Sequence, residues 1–140
     1  MLKNIPYLMS PDLMKLLLEM GHGDEILIAD GNYPQSAINS TIVRLDGNSI
    51  PEILKVLLLF FPLDTFSEGN VFLMDNNSPE KPKIWSNYKN ILDSSGEPYK
   101  IKMLERYEFY KRAGNVYCVV ITSETELYAN IILRKGVVTR

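Results

Sequence analysis

Hydrophobic positions recur along the chain with the spacing of helices and of short buried strands, in alternation. Ser10 and Pro11 are typical of a helix N-terminus, where a side-chain oxygen caps the first turn. Together with the apolar positions that follow, they predict a helix over residues 11–20, ended by Gly21 in a left-handed conformation. Those positions lie at i, i+3, i+4 and i+7 on one helix face: Leu13, Leu16, Leu17 and Met20.

The same alternation continues to the C-terminal end. Ser49 and Glu52 match a capping box, which predicts a second helix that runs to about residue 61 and stops at Pro62. Trp85 belongs to a later helical stripe and is expected in the core. Further helices are predicted at residues 84–92 and 105–113, and strands at residues 26–29, 41–45, 71–74, 99–103, 116–121 and 129–133.

Strands that alternate with helices indicate an α/β fold, because parallel neighbours need crossovers of this length. We expect one three-layer α/β/α domain over residues 1–140, with a mainly parallel sheet. The last two strands are close in sequence, so an antiparallel or mixed arrangement is expected at an edge of the sheet. Ligands of such sheets tend to bind beyond the carboxyl ends of the strands, and Asp30 lies at such an end.

Composition excludes several classes of function. Fifteen Lys and Arg against 17 Asp and Glu give a net charge of -2, without the basic excess of nucleic-acid-binding proteins. One histidine and one cysteine are too few for a Cys/His zinc site, and no disulfide can form within the chain. The longest apolar run, residues 56–62, is too short to cross a membrane, and prolines interrupt any signal-peptide pattern. We expect a cytoplasmic protein that binds neither nucleic acid nor membrane.

The most unusual segment joins the first helix to the first strand and reads Gly21-His22-Gly23-Asp24-Glu25. Its glycines follow a helix and precede a strand, the reverse of a phosphate-binding loop, which excludes nucleotide binding here. The segment can expose an imidazole that gives and takes a proton near neutral pH. A histidine that merely follows a helix C-cap is the commoner case. Adjacent carboxylates on an extended chain point to opposite faces, so this acidic pair is poorly suited to glycoside hydrolysis.

Other polar residues are of types that recognise hydroxyl groups. Asp30 can accept hydrogen bonds from hydroxyls or orient His22, or it can be a solvated residue at a strand end. Arg106 offers a fixed fork of donors, although a surface ion pair with Glu105 or Glu108 is commoner. Tyr128 and Asn130 can both donate and accept, although a packed tyrosine at a strand start is commoner.

Taken together, these segments resemble the fucose mutarotases and ribose pyranases in order and spacing, over nearly the whole chain. The resemblance implies an isomerase without cofactor or metal that interconverts the cyclic forms of a free sugar. One branch exchanges the α and β anomers of L-fucose, and the other exchanges the pyranose and furanose forms of D-ribose. The matching segments include Gly21-His22-Gly23-Asp24-Glu25, Asn32-Tyr33-Pro34, Asp46-Gly47, Pro62-Leu63-Asp64, Phe109-Tyr110, Tyr128-Ala129-Asn130 and Lys135-Gly136-Val137.

The resemblance also implies roles for single residues. It implies that His22 is the catalytic proton donor, which would protonate the ring oxygen during acid/base ring opening. A second group must transfer the proton of the anomeric hydroxyl. Tyr128 is our first candidate for this role and Tyr110 our second. Substrate-binding positions are implied for Asp30, Arg106, Tyr110, Tyr128 and Asn130.

The branch and the assembly follow from the same resemblance. The pattern of Arg106 with Phe109-Tyr110 is similar to the fucose branch. The ribose branch generally has a histidine near the Arg106 position, and the single histidine of this chain is His22. Ser123 stands where the fucose branch often has glycine, which leaves the exact sugar preference open. The family forms symmetric homo-oligomers, decameric rings among them, with sites completed by a neighbouring subunit. The alternatives are a D-ribose pyranase and a non-catalytic monosaccharide-binding module.

Overall fold

One six-stranded sheet forms the centre of the molecule in a computed structural model that describes residues 1–140. Its strands are β1 (Glu25–Ala29), β2 (Thr41–Arg44), β3 (Val71–Met74), β4 (Ile101–Leu104), β5 (Cys118–Ile121) and β6 (Ile131–Arg134). The helices are α1 (Pro11–Glu19), α2 (Ile50–Leu57), α3 (Lys83–Ser95) and α4 (Arg106–Ala113), with a 3-10 turn at Gln35–Ala37. Across the sheet the strand order is β2-β5-β1-β6-β3-β4.

The sheet is mixed, with a single antiparallel strand in its interior. Strands β1 and β2 each pair in parallel with β5, and β3 pairs in parallel with β4. Strand β6 runs against β1 on one side and β3 on the other. The predicted α/β class is confirmed, but the expected edge position of the antiparallel strand is wrong. Ile131, Ile132 and Leu133 are fully buried, as suits an interior strand, so β6 offers no open edge to a partner.

Helices cover both faces of the sheet, which confirms the three-layer arrangement. Helices α1, α2 and α3 pack on one face around a core of 27 buried residues, and α4 packs on the other around a core of 12. The predicted capping box is present, since Ser49 and Glu52 exchange hydrogen bonds in both directions. Helix α2 ends at Leu57, earlier than predicted, and hydrogen-bonded turns bring Phe61 into the core. No helix is long and apolar enough to span a membrane.

The loop that carries His22 folds tightly against the end of β6. Its left-handed residue is Gly23, with φ of 88°, and not Gly21 as predicted. The Gly23 N–H donates to the Lys135 carbonyl at 2.8 Å, and a Cβ at this position would approach Arg134 to 3.1 Å. Glycine therefore allows both the backbone conformation and the close approach.

Candidate active site

The predicted site residues fall into two groups at opposite ends of strand β1. His22 precedes this strand and Asp30 follows it. Seven residues separate them, and the five that form β1 alone span about 16 Å. Because β6 runs antiparallel to β1, the start of β6 at Asn130 lies beside Asp30, whereas its end at Arg134 lies beside Glu25. We call these groups the histidine cluster and the strand-end cluster. The histidine cluster comprises His22, Asp64, Arg134, Glu25 and Arg112, and the strand-end cluster comprises Asp30, Tyr110, Tyr128 and Asn130.

In the histidine cluster, Asp64 fixes the imidazole ring. The Nε2 atom of His22 lies 3.0 Å from Oδ1 of Asp64, whose side chain is only 2% exposed. An ionised carboxylate only accepts hydrogen bonds, so Nε2 carries a hydrogen and donates it. The neutral ring then keeps Nδ1 as its free acceptor, on a side chain that is 44% exposed. His22 therefore offers one nitrogen for proton transfer while the other is held.

The surroundings of Asp64 keep its carboxylate ionised. Burial raises the pKa of Asp64, but hydrogen bonds from the Phe66 N–H, His22, Ser67 and Arg134 outweigh burial and hold this pKa well below its ordinary value. The Phe66 N–H donates to Oδ1 at 3.0 Å, and the Ser67 hydroxyl donates to Oδ2 at 2.8 Å. Nε of Arg134 donates to Oδ2 at 2.9 Å. Asp64 can therefore stabilise an imidazolium on its neighbour.

Alternating charges extend this cluster at the end of the sheet where β1 begins and β6 ends. Nη1 of Arg134 lies 3.1 Å from Glu25, and Arg112 holds the same glutamate with two hydrogen bonds of 2.7 Å. The hydrogen bond to Asp64, followed by that to Glu25, raises the pKa of Arg134 above its ordinary value. Bidentate arginine pairs of this kind fix geometry as well as charge. The result is a support for Asp64 built from three charged side chains.

The strand-end cluster is held by backbone and amide groups. Oδ1 of Asn130 accepts a hydrogen bond from the Asp30 N–H at 2.7 Å, which leaves the Asn130 amide group free to donate. Oδ1 of Asp30 accepts from the Asn32 N–H at 2.9 Å. The alternative in which Asp30 orients His22 is wrong within one chain, because Asp64 holds the imidazole at the other end of β1.

Helix α3 holds Tyr128 in an unusual backbone conformation. Tyr128 has φ of 59°, a left-handed value that is uncommon for a residue other than glycine. Nε1 of Trp85 donates to the Tyr128 carbonyl at 2.9 Å, and the Tyr88 hydroxyl donates to the Ala129 carbonyl. The Tyr128 side chain is 39% exposed. Trp85 is a core residue, as predicted, and it also holds the backbone of Tyr128.

Tyr110 reaches the strand-end cluster through a second tyrosine. The rings of Tyr33 and Tyr110 lie 6.2 Å apart, and the Tyr33 N–H donates to the Asp30 carbonyl at 3.3 Å. Burial, and then the charges of Tyr110 and Asp30, raise the pKa of Tyr33 to about 12, so this phenol stays neutral. Arg106 begins α4 with its guanidinium carbon 6.0 Å from the Tyr110 ring centre. Glu105 caps that helix instead of pairing with the arginine.

Asp64 is the candidate site residue to which sequence analysis gave no role. Its carboxylate meets His22 only after the chain has passed through β1, β2 and α2. The one signal was its place in the segment Pro62-Leu63-Asp64, two residues after the proline at which the second helix was predicted to stop. An acidic residue that proves to be 2% exposed must have partners, but the sequence does not name them.

Comparison with known proteins agrees with this architecture. The model of the RbsD / FucU transport protein family matches residues 3–138. The chain belongs to this family. The predicted resemblance is thereby confirmed, and it covers both clusters.

Individual family members are similar over their full length. Human fucose mutarotase is 42% identical over 144 residues, which cover 97% of this chain and 94% of the human one. L-fucose mutarotase of Histophilus somni (strain 2336) is 39% identical over 140 residues, covering 98% and 97% of the two chains. The crystal structure of the fucose mutarotase from Streptococcus pneumoniae in complex with L-fucose has a TM-score of 0.92 and 47% identity, and covers 99% of this chain and all of that one.

Proposed function

We propose that this protein is an L-fucose mutarotase, with residues 1–140 as one sugar mutarotase domain. It would exchange the α and β anomers of the free sugar without cofactor or metal. The observation that carries the proposal is the His22–Asp64 pair, an exposed imidazole with one nitrogen held and the other free. Full-length similarity to fucose mutarotases supports the choice of sugar. A single buried cysteine, Cys118, suits the reducing cytoplasm.

The proposed reaction needs two proton transfers and no other chemistry. To open the ring, protonated His22 donates from Nδ1 to the ring oxygen while a second group takes the proton of the anomeric hydroxyl. The bond between C1 and the ring oxygen breaks, and C1 becomes the carbonyl carbon of an aldehyde. Rotation about the C1–C2 bond and the reverse transfers close the ring with the other configuration. Asp64 stabilises the imidazolium form of His22 that is present before ring opening and is restored when the ring closes.

Tyr128 is our first candidate for the second group and Tyr110 the next. Both phenols are 39% exposed and belong to the strand-end cluster. We assign binding of the sugar hydroxyls to Asp30, Asn130 and Arg106, whose side chains supply complementary donors and acceptors.

We further propose that each site is shared between two subunits of a homo-oligomer, for which a decameric ring is one candidate. Strand β1 puts about 16 Å between His22 and Asp30 in one chain, farther than a single pyranose ring can bridge. A neighbouring copy can instead bring its strand-end cluster to His22. Two different surfaces of the chain would then meet at every site.

Anomer-exchange NMR on equilibrated L-fucose and D-ribose tests the reaction. An enzyme changes exchange rates and leaves equilibrium populations unchanged. We expect faster α/β exchange of L-fucose with the protein present. Faster pyranose/furanose exchange of D-ribose alone would assign the ribose pyranase activity instead. Broadened sugar resonances without faster exchange would identify a binding module.

Co-expression of two inactive variants tests the shared site. His22→Ala and Asn130→Ala each damage a different half, so random mixing should leave about a quarter of the sites with two intact halves. Co-expression of His22→Ala with Asp64→Asn is the matched control, because both changes damage the same half and no site is restored. Equal activity in the two mixtures would show that the site lies within one chain.

A further inference from the structure

Phe66 exposes an aromatic ring beside the proposed proton donor. Its ring centre lies 5.5 Å from that of His22, with a tilt of 59° between the planes. Phe66 is 77% exposed and belongs to neither hydrophobic core. The ring therefore contributes little to the packing of the chain and stands free on the surface that carries His22.

The same carboxylate holds both residues. Oδ1 of Asp64 lies 3.0 Å from Nε2 of His22 and accepts the Phe66 N–H, also at 3.0 Å. The Ser67 hydroxyl donates to the other oxygen of Asp64, and its oxygen lies 3.0 Å from the Gly69 carbonyl oxygen, so the loop curls around the acid. Asp64 thus fixes the backbone of Phe66 relative to the imidazole, and the 5.5 Å between the two ring centres places an apolar surface directly beside the proton donor.

The chemistry of L-fucose matches such a surface. This sugar carries a methyl group on the carbon next to the ring oxygen, the atom that His22 is proposed to protonate. Small-molecule sites combine apolar walls with a few polar groups that fix orientation. An aromatic ring next to the proton donor is therefore placed to meet the one apolar substituent of the sugar.

We propose that Phe66 packs against this methyl group and makes the enzyme prefer a 6-deoxy sugar. The inference rests on the proposed mutarotase function and adds a specificity-determining residue to it. D-Arabinose in its pyranose form is the informative comparison, because it has the same arrangement of ring hydroxyls as L-fucose and a hydrogen in place of the methyl group. A contact with the methyl group predicts a preference for L-fucose that depends on Phe66.

The test measures kcat/KM for anomer exchange of both sugars, in the full-length protein and in Phe66→Ala and Phe66→Tyr. One methyl-sized group in an apolar contact typically changes kcat/KM at least tenfold, so Phe66→Ala should lower the value for L-fucose by about tenfold. The value for D-arabinose should stay within about twofold of the wild type, since it has no methyl group to lose. Phe66→Tyr retains the ring and should retain the preference.

Other outcomes overturn the inference in distinguishable ways. An equal loss for both sugars in Phe66→Ala would assign the ring to assembly or to loop structure. Wild-type values for both sugars in Phe66→Ala would place the methyl group elsewhere. If the wild-type protein accelerated neither sugar, the proposed function would fail, and the role of Phe66 with it.

Discussion

The two ends of strand β1 are built from different interactions. The histidine cluster is a line of alternating charges in which two poorly exposed carboxylates, Asp64 and Glu25, are each held by arginine. The strand-end cluster contains one carboxylate, Asp30, and neutral contacts hold the rest, with Asn130 bound to a backbone N–H and Tyr128 held through its carbonyl. Charges suit the stabilisation of an imidazolium, whereas directional neutral groups suit the recognition of hydroxyls. Substitutions at the two ends should therefore have different consequences.

The largest effect is expected from His22→Ala. General acid–base catalysis contributes about 10²–10⁴-fold, so anomer exchange of L-fucose should fall by at least about 100-fold. The side chain is 44% exposed, so the thermal unfolding midpoint should change little. Exchange NMR and thermal unfolding measure the two quantities. Full activity in this variant would refute the proposed role of His22.

Asp64→Asn should give the largest loss of stability. It removes one of the two carboxylates that hold Arg134, which is 31% exposed and keeps Glu25, so we expect a loss of about 1.5–3 kcal/mol, the range for hydrogen bonds to charged groups. Asn130→Ala at the other end removes one neutral hydrogen bond, which costs about 1 kcal/mol. Denaturant unfolding of both variants measures the difference. Equal losses would show that charge does not distinguish the two ends.

Trp85→Phe should weaken the strand-end cluster through Tyr128. The variant keeps an aromatic ring but leaves the Tyr128 carbonyl without its donor, a loss of about 1–3 kcal/mol. We expect KM for L-fucose to rise more than kcat falls. The double variant with Tyr128→Phe should be less impaired than the two separate effects combined, because Trp85 acts through that phenol.

A matched control for this prediction is Tyr99→Phe. This substitution removes the hydrogen bond from the Tyr99 hydroxyl to Asp93, which belongs to the same helix as Trp85. This variant should leave KM unchanged. A similar change of KM in both variants would indicate a general effect on helix α3 rather than positioning of Tyr128.

The smallest effect is expected from pH. The pKa of Asp64 is lower in the folded protein than in the unfolded chain, so its ionised form stabilises the fold fully above about pH 4, the unfolded-state value. This contribution decreases as the pH falls from there toward the folded-state pKa. Asp64→Asn should therefore show a shallower loss of stability below about pH 4 than the wild type. Acid titrations of the unfolding free energy test this, and equal slopes would contradict it.

Local signals predicted the elements well, and contacts between distant segments explain the failures. The Ser49–Glu52 capping box is a signal within one turn, and the structure reproduces it. The interior position of β6 depends on which strands pair, and that is decided by packing of the whole sheet. The partner of His22 is 42 residues away at Asp64, so no local pattern could reveal it.

The separation of the two clusters was within reach of the sequence. A strand was predicted at residues 26–29, with His22 before it and Asp30 after it. An extended segment of that length keeps its two ends apart, so the suggested contact between these residues contradicted the predicted strand. The sequence could not show that His22 lies beside Asp64, or that Asp30 lies beside Asn130.

The length of β1 also determines how many complete sites an assembly of chains contains. If each chain presents one half of a site at either end of this strand, every chain in a closed assembly serves two sites, and sites equal chains in number. An open row of chains would leave one half unmatched at each extremity and contain one site fewer. Catalytic activity per chain would then report whether the assembly has closed, and dilution to single chains would abolish it.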